Sequence, residues 1–319
     1  MLQSRNYETL LTYTQQKKYS AAITQGYFNN YDGLAWRHTF YGAWLWKHPN
    51  RVKVLSRFRE LLGHTPDWPD ITDDNLRDFR EALCAHYAPN SIRTICAEIN
   101  AVIRENAPTK AIPSQTYSAI MRQKRDTVQA VFLTDDEIHR IHLYTPHTLA
   151  ARHVKRMFML ECLTGARRSD CERLSAANLN PTGRTLTYVA QKTGTEVTVP
   201  VHKWLRTYLK RTSPSEPESV ATSTYSRLIR EICQRSGIST RVKVFSAGSY
   251  KSGPKYMFVT SHSGRRSFAT NLSRKGVSLE QIALLMGHMT GNVPNITMTQ
   301  RYIVGKMKID ASVFKIFEK

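Results

Sequence analysis

The sequence predicts a mainly α-helical protein of two domains with one small β-hairpin. Three observations lead there. At 319 residues the chain holds about two domains' worth of length on the usual size scale. Apolar residues recur at helical spacing through most of it, and only one pair of runs alternates in the manner of paired strands. Between Gln115 and Val131 the periodicity lapses and Arg122, Lys124 and Arg125 gather, as in an exposed linker. The expected division is residues 1–122 as a helical N-terminal domain, 123–133 as linker and 134–319 as the second domain.

Four of the five tryptophans, Trp36, Trp44, Trp46 and Trp68, fall in the first domain and read mostly as core. The segment ITDDNLRDFREALCAHY offers Thr72 as a helix N-cap, acidic residues in the first turn, and Leu76, Phe79 and Leu83 on one face. Pro89 and Asn90 restart the pattern. Ile92, Ile95, Ile99, Val102 and Ile103 then form a stripe on a helix that should end near Pro108. The second domain opens at Thr134, because Thr134-Asp-Asp-Glu137 is a capping box in which each end satisfies an amide of the other. Its hairpin pairs residues 185–191 with 196–201 around Lys192-Thr193-Gly194-Thr195. Everything after it reads as mostly helical, with a loop from Ser213 to Pro217. At the C-terminus Val313, Ile316 and Phe317 suit one face of a short helix.

Lys and Arg number 46 against 25 Asp and Glu, a formal net charge of +21. So large an excess calls for a polyanionic partner, nucleic acid first and an anionic membrane surface second. The opening residues lack the apolar core of a signal peptide, and no stretch approaches the roughly 18 apolar residues of a membrane span. Secretion and membrane spanning are therefore not expected, and a cytoplasmic, DNA-associated location is. Five cysteines, Cys84, Cys96, Cys162, Cys171 and Cys233, lie at wide spacings without a Cys-x-x-Cys pair and read as reduced thiols. A metal-dependent nuclease would need clustered carboxylates. Asp73-Asp74 and Asp135-Asp136 are instead explained as first-turn helix residues, and His139 with His142 lacks a third ligand.

Three motifs carry chemistry. In LTGARRSDCE, Ser169-x-x-Glu172 has the form of a capping box, which would start a helix beside Arg167 and Arg168 and suit a phosphate. In SHSGRR, His262 and Arg265 stand three apart and share a face if the helix includes both. Ser278-x-x-Gln281 would cap a further helix that stops at Gly287, leaving His288 just past its end. Each motif alone fits a bland reading: a solvated basic turn, a surface histidine, a structural histidine.

Taken in order, these motifs resemble the catalytic domain of the tyrosine recombinases, the phage integrase family. The family's Thr-Gly-x-Arg is matched by ThrGlyAlaArg with Arg167, its His-x-x-Arg by His262 to Arg265, and its Gly-His by Gly287-His288. Lys192 matches its hairpin lysine, Tyr302 its nucleophile, and Asp170 the supporting acid three residues after the first arginine. Residues 70–107 resemble the family's SAM-like core-binding domain, without a specific motif.

The resemblance implies a site-specific recombinase or integrase that cleaves and rejoins DNA through a covalent 3′-phosphotyrosyl intermediate. It would act without metal, nucleotide or other cofactor, as a homotetramer on two DNA sites. An accessory DNA-bending protein and an origin in a phage or mobile element would fit. In this chemistry Arg167 and Arg265 offset charge on the phosphate, His262 accepts the tyrosine proton, Lys192 protonates the leaving 5′ oxygen, and His288 hydrogen-bonds the phosphate. A phenol titrates near 10, so the nucleophile needs a base or nearby positive charge. A chromosome or plasmid dimer resolvase uses the same residues, and a noncatalytic DNA-binding protein on the same fold is the alternative from another class. Two departures stand out. The interval from His288 to Tyr302 is a few residues longer than the common pattern, and His-x-x-Arg reads HisSerGlyArgArg where many members have leucine before the arginine and histidine after it.

Overall fold

A computed structural model describes residues 38–126, 130–211, 213–246 and 249–305. Trp36, the first 30 residues and the C-terminal stripe of Val313, Ile316 and Phe317 lie outside the described residues. The chain separates into two compact units, Met1–Thr127 and Val128–Lys319.

Among its described residues the first unit is all helical: α1 (Phe40–Lys47), α2 (Val52–Leu62), α3 (Asp73–His86), α4 (Pro89–Asn106) and the short α5 (Tyr117–Ile120). Thr72 caps α3 by accepting the Asn75 amide at 3.2 Å, as its sequence predicts, and Pro89 occupies the first turn of α4 where its missing N–H costs nothing. The core mixes aliphatic and aromatic side chains. Phe58 stacks on Phe79 at 4.5 Å between centroids, and Phe40 meets Trp68 edge-on. Trp44 and Trp68 are buried, whereas Trp46 is exposed on the surface. Residues at both ends of the expected linker are held in place. Arg80 donates to Gln123 and the Asp126 amide to Asn90 in the first unit, while Leu133 is bonded on both sides of its peptide by Ser267 and Asn271 in the second.

In the second unit, the Thr134–Glu137 capping box opens α6 (Asp135–Leu143) with both of its bonds present. The next helix, α7 (Leu149–Thr164), is buried on nearly every side and forms the axis of the unit. It ends at Gly165, whose φ of +68° is a left-handed conformation that favours glycine. Then come α8 (Arg168–Cys171) and the antiparallel pair β1 (Thr185–Val189) and β2 (Glu196–Pro200), in register from Thr185 opposite Pro200 to Val189 opposite Glu196. Leu186, Tyr188, Val197 and Val199 point inward, which is the alternation the sequence displays. After α9 (Leu205–Tyr208) and α10 (Thr222–Arg235) the expectation of helix fails, because β3 (Arg241–Ser246) pairs with β4 (Ser249–Pro254) as a second hairpin. The described residues finish with α11 (Ser261–Arg274), α12 (Leu279–Met286), a small hairpin of β5 (Met289–Thr290) and β6 (Val293–Pro294), and α13 (Ile296–Gln300). Ser278 caps α12 through the Gln281 amide.

One local expectation is corrected at α8. This helix is a single turn with Arg167 as its N-cap, so Ser169 lies inside it and does not cap. Glu172 pairs instead with Arg168 at 3.3 Å. A side-chain cap requires extended backbone before the first turn, and that conformation belongs to Arg167.

Candidate active site

A cleft in the second unit is lined by Arg167, Lys192, His262, Arg265 and Tyr302, together with Glu161 and Arg168. Four separate stretches of chain supply these residues, and the fold brings together all the site residues picked from sequence except His288 and Asp170, which do not line the cleft.

Arg167 sits between α7 and α8, and its Nη1 is buried without a hydrogen-bond partner among the described residues. Arg168, expected beside it as a second phosphate donor, is committed elsewhere. It donates to Val220 O, pairs with Glu172 and lies over the Tyr225 ring. Arg265 is only 1% exposed. Its two terminal nitrogens are fixed from behind by Gly165 O, by Met286 O at 2.7 Å and by His288 Nε2 at 2.7 Å. Burial and the charge of Arg167 weaken its hold on its proton, and the neighbouring Tyr302 acts the other way.

His262 stands in the first turn of α11, which begins at Ser261, so His262 and Arg265 do share a face. Enclosure by the cleft walls, then the charges of Arg266, Arg265 and Arg167, lower its pKa below the usual imidazole value. It is therefore a neutral acceptor at neutral pH.

Lys192 is exposed in the turn after β1. The preceding residue is anchored, because the Gln191 amide donates to the buried Asp170 carboxylate at 2.9 Å, and Arg173 donates to the same oxygen. Asp170 thus holds the base of the lysine's turn.

Tyr302 follows α13 and packs against Ala269, Ile282 and Met286. The Thr270 hydroxyl donates to Tyr302 O at 3.2 Å and accepts from the Val304 amide at 3.1 Å, which ties the tyrosine segment to α11. The guanidiniums of Arg265 and Arg266 lie 5.4 and 6.0 Å from its ring centroid. The extra residues before it form the β5–β6 hairpin, closed at its neck by the Asn295 amide donating to His288 O at 2.7 Å.

His288, which the resemblance places on the phosphate, here stands behind Arg265. It is fully buried and does not line the cleft. Because Nε2 accepts from Arg265, Nδ1 carries the proton and donates to Thr299 Oγ1 at 3.0 Å, and that hydroxyl donates on to Asn295 O. Burial first, then Arg265 and Arg167, push its pKa down to about 3. Sequence reasoning does not single out Thr299, nor Glu161. For Glu161 the signal was present, as the lone acid in the apolar run MFMLECL.

No group of His, Cys, Asp or Glu able to hold a metal ion occurs among the described residues. His139 and His142 stack on Trp204 instead. No described helix is long and apolar enough to cross a membrane.

No curated protein matches the sequence. Solved structures do match the fold. A fragment of the Tn1549 transposon integrase, in complex with a circular intermediate DNA, aligns with a TM-score of 0.59 at 14% identity over 88% of this chain and 100% of that one. The lambda integrase dimer bound to a COC′ core site aligns at 0.56 and 19% identity over 83% and 92%. The lambda integrase tetramer bound to a Holliday junction aligns at 0.56 and 17% identity over 83% and 74%. The profile of the Phage integrase family matches residues 131–308, more than half of the chain and the whole of the cleft. The chain is a member of the phage integrase family, the tyrosine recombinases.

Proposed function

We propose that this protein is a site-specific DNA recombinase that breaks and rejoins strands through a 3′-phosphotyrosyl intermediate, in the integration or excision of a phage or other mobile element. The observation that carries this reading is the opening of Tyr302 into one cleft with Arg167, Lys192, His262 and Arg265.

The Tyr302 oxygen attacks the scissile phosphorus as its proton passes to His262, and the 5′ oxygen departs with a proton from Lys192. Arg167 and Arg265 offset the charge that grows on the nonbridging oxygens. His288 acts through Arg265, which it orients, and Asp170 acts through the turn of Lys192. The bond energy is kept in the phosphotyrosine, so a 5′ hydroxyl of another strand reverses the attack without ATP. By analogy with the lambda integrase assemblies, the working form is a homotetramer on paired double-stranded DNA sites, with an accessory DNA-bending protein as a compatible partner. The net charge of +21 supports the phosphate contacts this requires.

The test is incubation of the wild type and Tyr302→Phe with a library of nicked duplexes in EDTA, followed by denaturing gels and sequencing of DNA that stays attached. A covalent adduct is expected with the wild type alone, on one recurring sequence. Its absence across a broad library, despite DNA binding, would leave a noncatalytic DNA-binding protein.

A further inference from the structure

The cleft contains an acidic side chain that the reaction above does not use. Glu161, on α7, lines it beside Arg167 and His262 and is 1% exposed. Its Oε1 accepts a hydrogen bond from the Tyr225 hydroxyl of α10 at 3.1 Å, and its Oε2 has no hydrogen-bond partner among the described residues. The two guanidiniums whose fields reach it are committed elsewhere: Arg168 to Glu172 and Val220 O, Arg265 to Gly165 O, Met286 O and His288. A carboxylate so enclosed would lose its hydration with no cation in exchange, so the group keeps its proton. Burial accordingly raises its pKa well above the ordinary carboxylate range, against the weaker opposing pull of Tyr225, Arg168 and Arg265. The proton makes Glu161 a buried donor without an acceptor among the described residues, in a cleft that Arg167, Lys192 and Arg265 also line.

The backbone makes room for it. Gly264 lies between His262 and Arg265 in α11, and a Cβ there would sit 2.7 Å from Glu161 Cβ and 3.0 Å from its Oε2. Glycine inside a helix costs about 1 kcal/mol relative to alanine. Here it lets the carboxyl lie against the turn that carries two of the cleft's principal groups.

We propose that Glu161 is a phosphate-binding residue of this cleft: as a neutral carboxylic acid, oriented by Tyr225, it donates its Oε2 hydrogen to a nonbridging phosphate oxygen beside Arg167 and Arg265. A neutral donor adds a hydrogen bond where further positive charge would be hard to accommodate, and the same group ionised would repel the ligand. The proposal rests on the recombinase reading for the identity of the phosphate, but its binding test needs no DNA chemistry.

Two substitutions separate the possibilities. Glu161→Gln keeps a neutral donor at nearly the same shape, and Glu161→Leu keeps volume without a donor. Inorganic phosphate is titrated into each protein and followed by the arginine side-chain NMR resonances. Glu161→Gln is expected to bind within about twofold of the wild type and Glu161→Leu about tenfold or more weakly, the usual range for one lost hydrogen bond to a charged group. In the nicked-duplex assay Glu161→Leu should slow adduct formation about tenfold while Glu161→Gln restores it. Equal phosphate binding by Glu161→Leu, a glutamine variant as weak as the leucine one, or no saturable binding by the wild type would each overturn the assignment. Should Glu161→Leu fail to fold, the wild-type Glu161 Cδ resonance decides. It must appear at the protonated position and move as phosphate is added, and an unmoved resonance defeats the proposal. A wild type that binds phosphate in this way but never forms a DNA adduct would remove the recombinase reading and keep Glu161.

Discussion

Arg265 donates to His288 Nε2 at 2.7 Å, and this contact fixes the histidine's tautomer and the arginine's orientation together. Thr299 receives the remaining ring proton at 3.0 Å. The histidine thus stands behind the guanidinium with both ring nitrogens bonded to protein groups.

His288→Ala is therefore expected to lower single-turnover adduct formation about 30-fold while changing DNA affinity by less than about threefold, since the lost function is positioning. Thr299→Val, which deletes only the acceptor for Nδ1, should cost about three- to tenfold. A large loss of DNA affinity in His288→Ala, measured by fluorescence anisotropy, would contradict a role exercised through Arg265.

Asp170 and Lys192 are linked through the Gln191 amide. Asp170→Ala should destabilise the protein by about 1–3 kcal/mol in urea titration, because it leaves a backbone donor unpaired. It should also mimic part of the Lys192→Ala defect. A DNA substrate whose bridging 5′ oxygen is replaced by sulfur leaves without needing a proton, so it should restore cleavage in both variants and not in His262→Ala.

Two glycines with similar backbone separate strain from clash. Gly63 has φ +75° with open space where a Cβ would go, and Gly165 has φ +68° with Phe268 only 2.5 Å from that point. Gly63→Ala should cost about 1 kcal/mol and Gly165→Ala about 3 kcal/mol or more in denaturant titration. Only the second should impair cleavage, since the Gly165 carbonyl also holds Arg265.

Acid should destabilise the fold in a definite window. Burial lowers the pKa values of His153 and His288 in the native state, to about 3 for His288, so below the unfolded value near 6.5 the unfolded chain binds more protons. Stability contributed by these neutral rings is complete above that value and falls with pH. His288 alone should account for about 2 kcal/mol between neutrality and pH near 5. Calorimetry across this range should show the melting temperature falling, and His288→Gln should flatten the slope.

Much of this architecture was legible because its signals are local. Thr72, Thr134 and Ser278 cap helices where the sequence places them, and β1–β2 alternates as written. The cleft residues were legible for another reason: each motif is weak, and their order along the chain carried the information. Ser169 misled because a side-chain pattern cannot reveal that Arg167 already holds the extended cap conformation. The β3–β4 hairpin was hidden by its serines, glycines and lysines, which read as loop. Among its described residues Val244 is the one buried apolar side chain, so little apolar periodicity was available. The partners of His288 and Glu161 come from α11, α13 and α10, far along the chain, and no local pattern encodes such contacts.

The neck of the β5–β6 hairpin also separates contour length from reach. Because Asn295 closes back on His288, the residues between them leave and return to one point, and the path to Tyr302 is measured from that point onward. The tip at Gly291 and Asn292 is thus a place where the chain can lengthen or shorten without moving the tyrosine relative to the cleft. Differences in spacing at this position between related chains are then differences in the size of a side excursion, and they say little about how the nucleophile is presented.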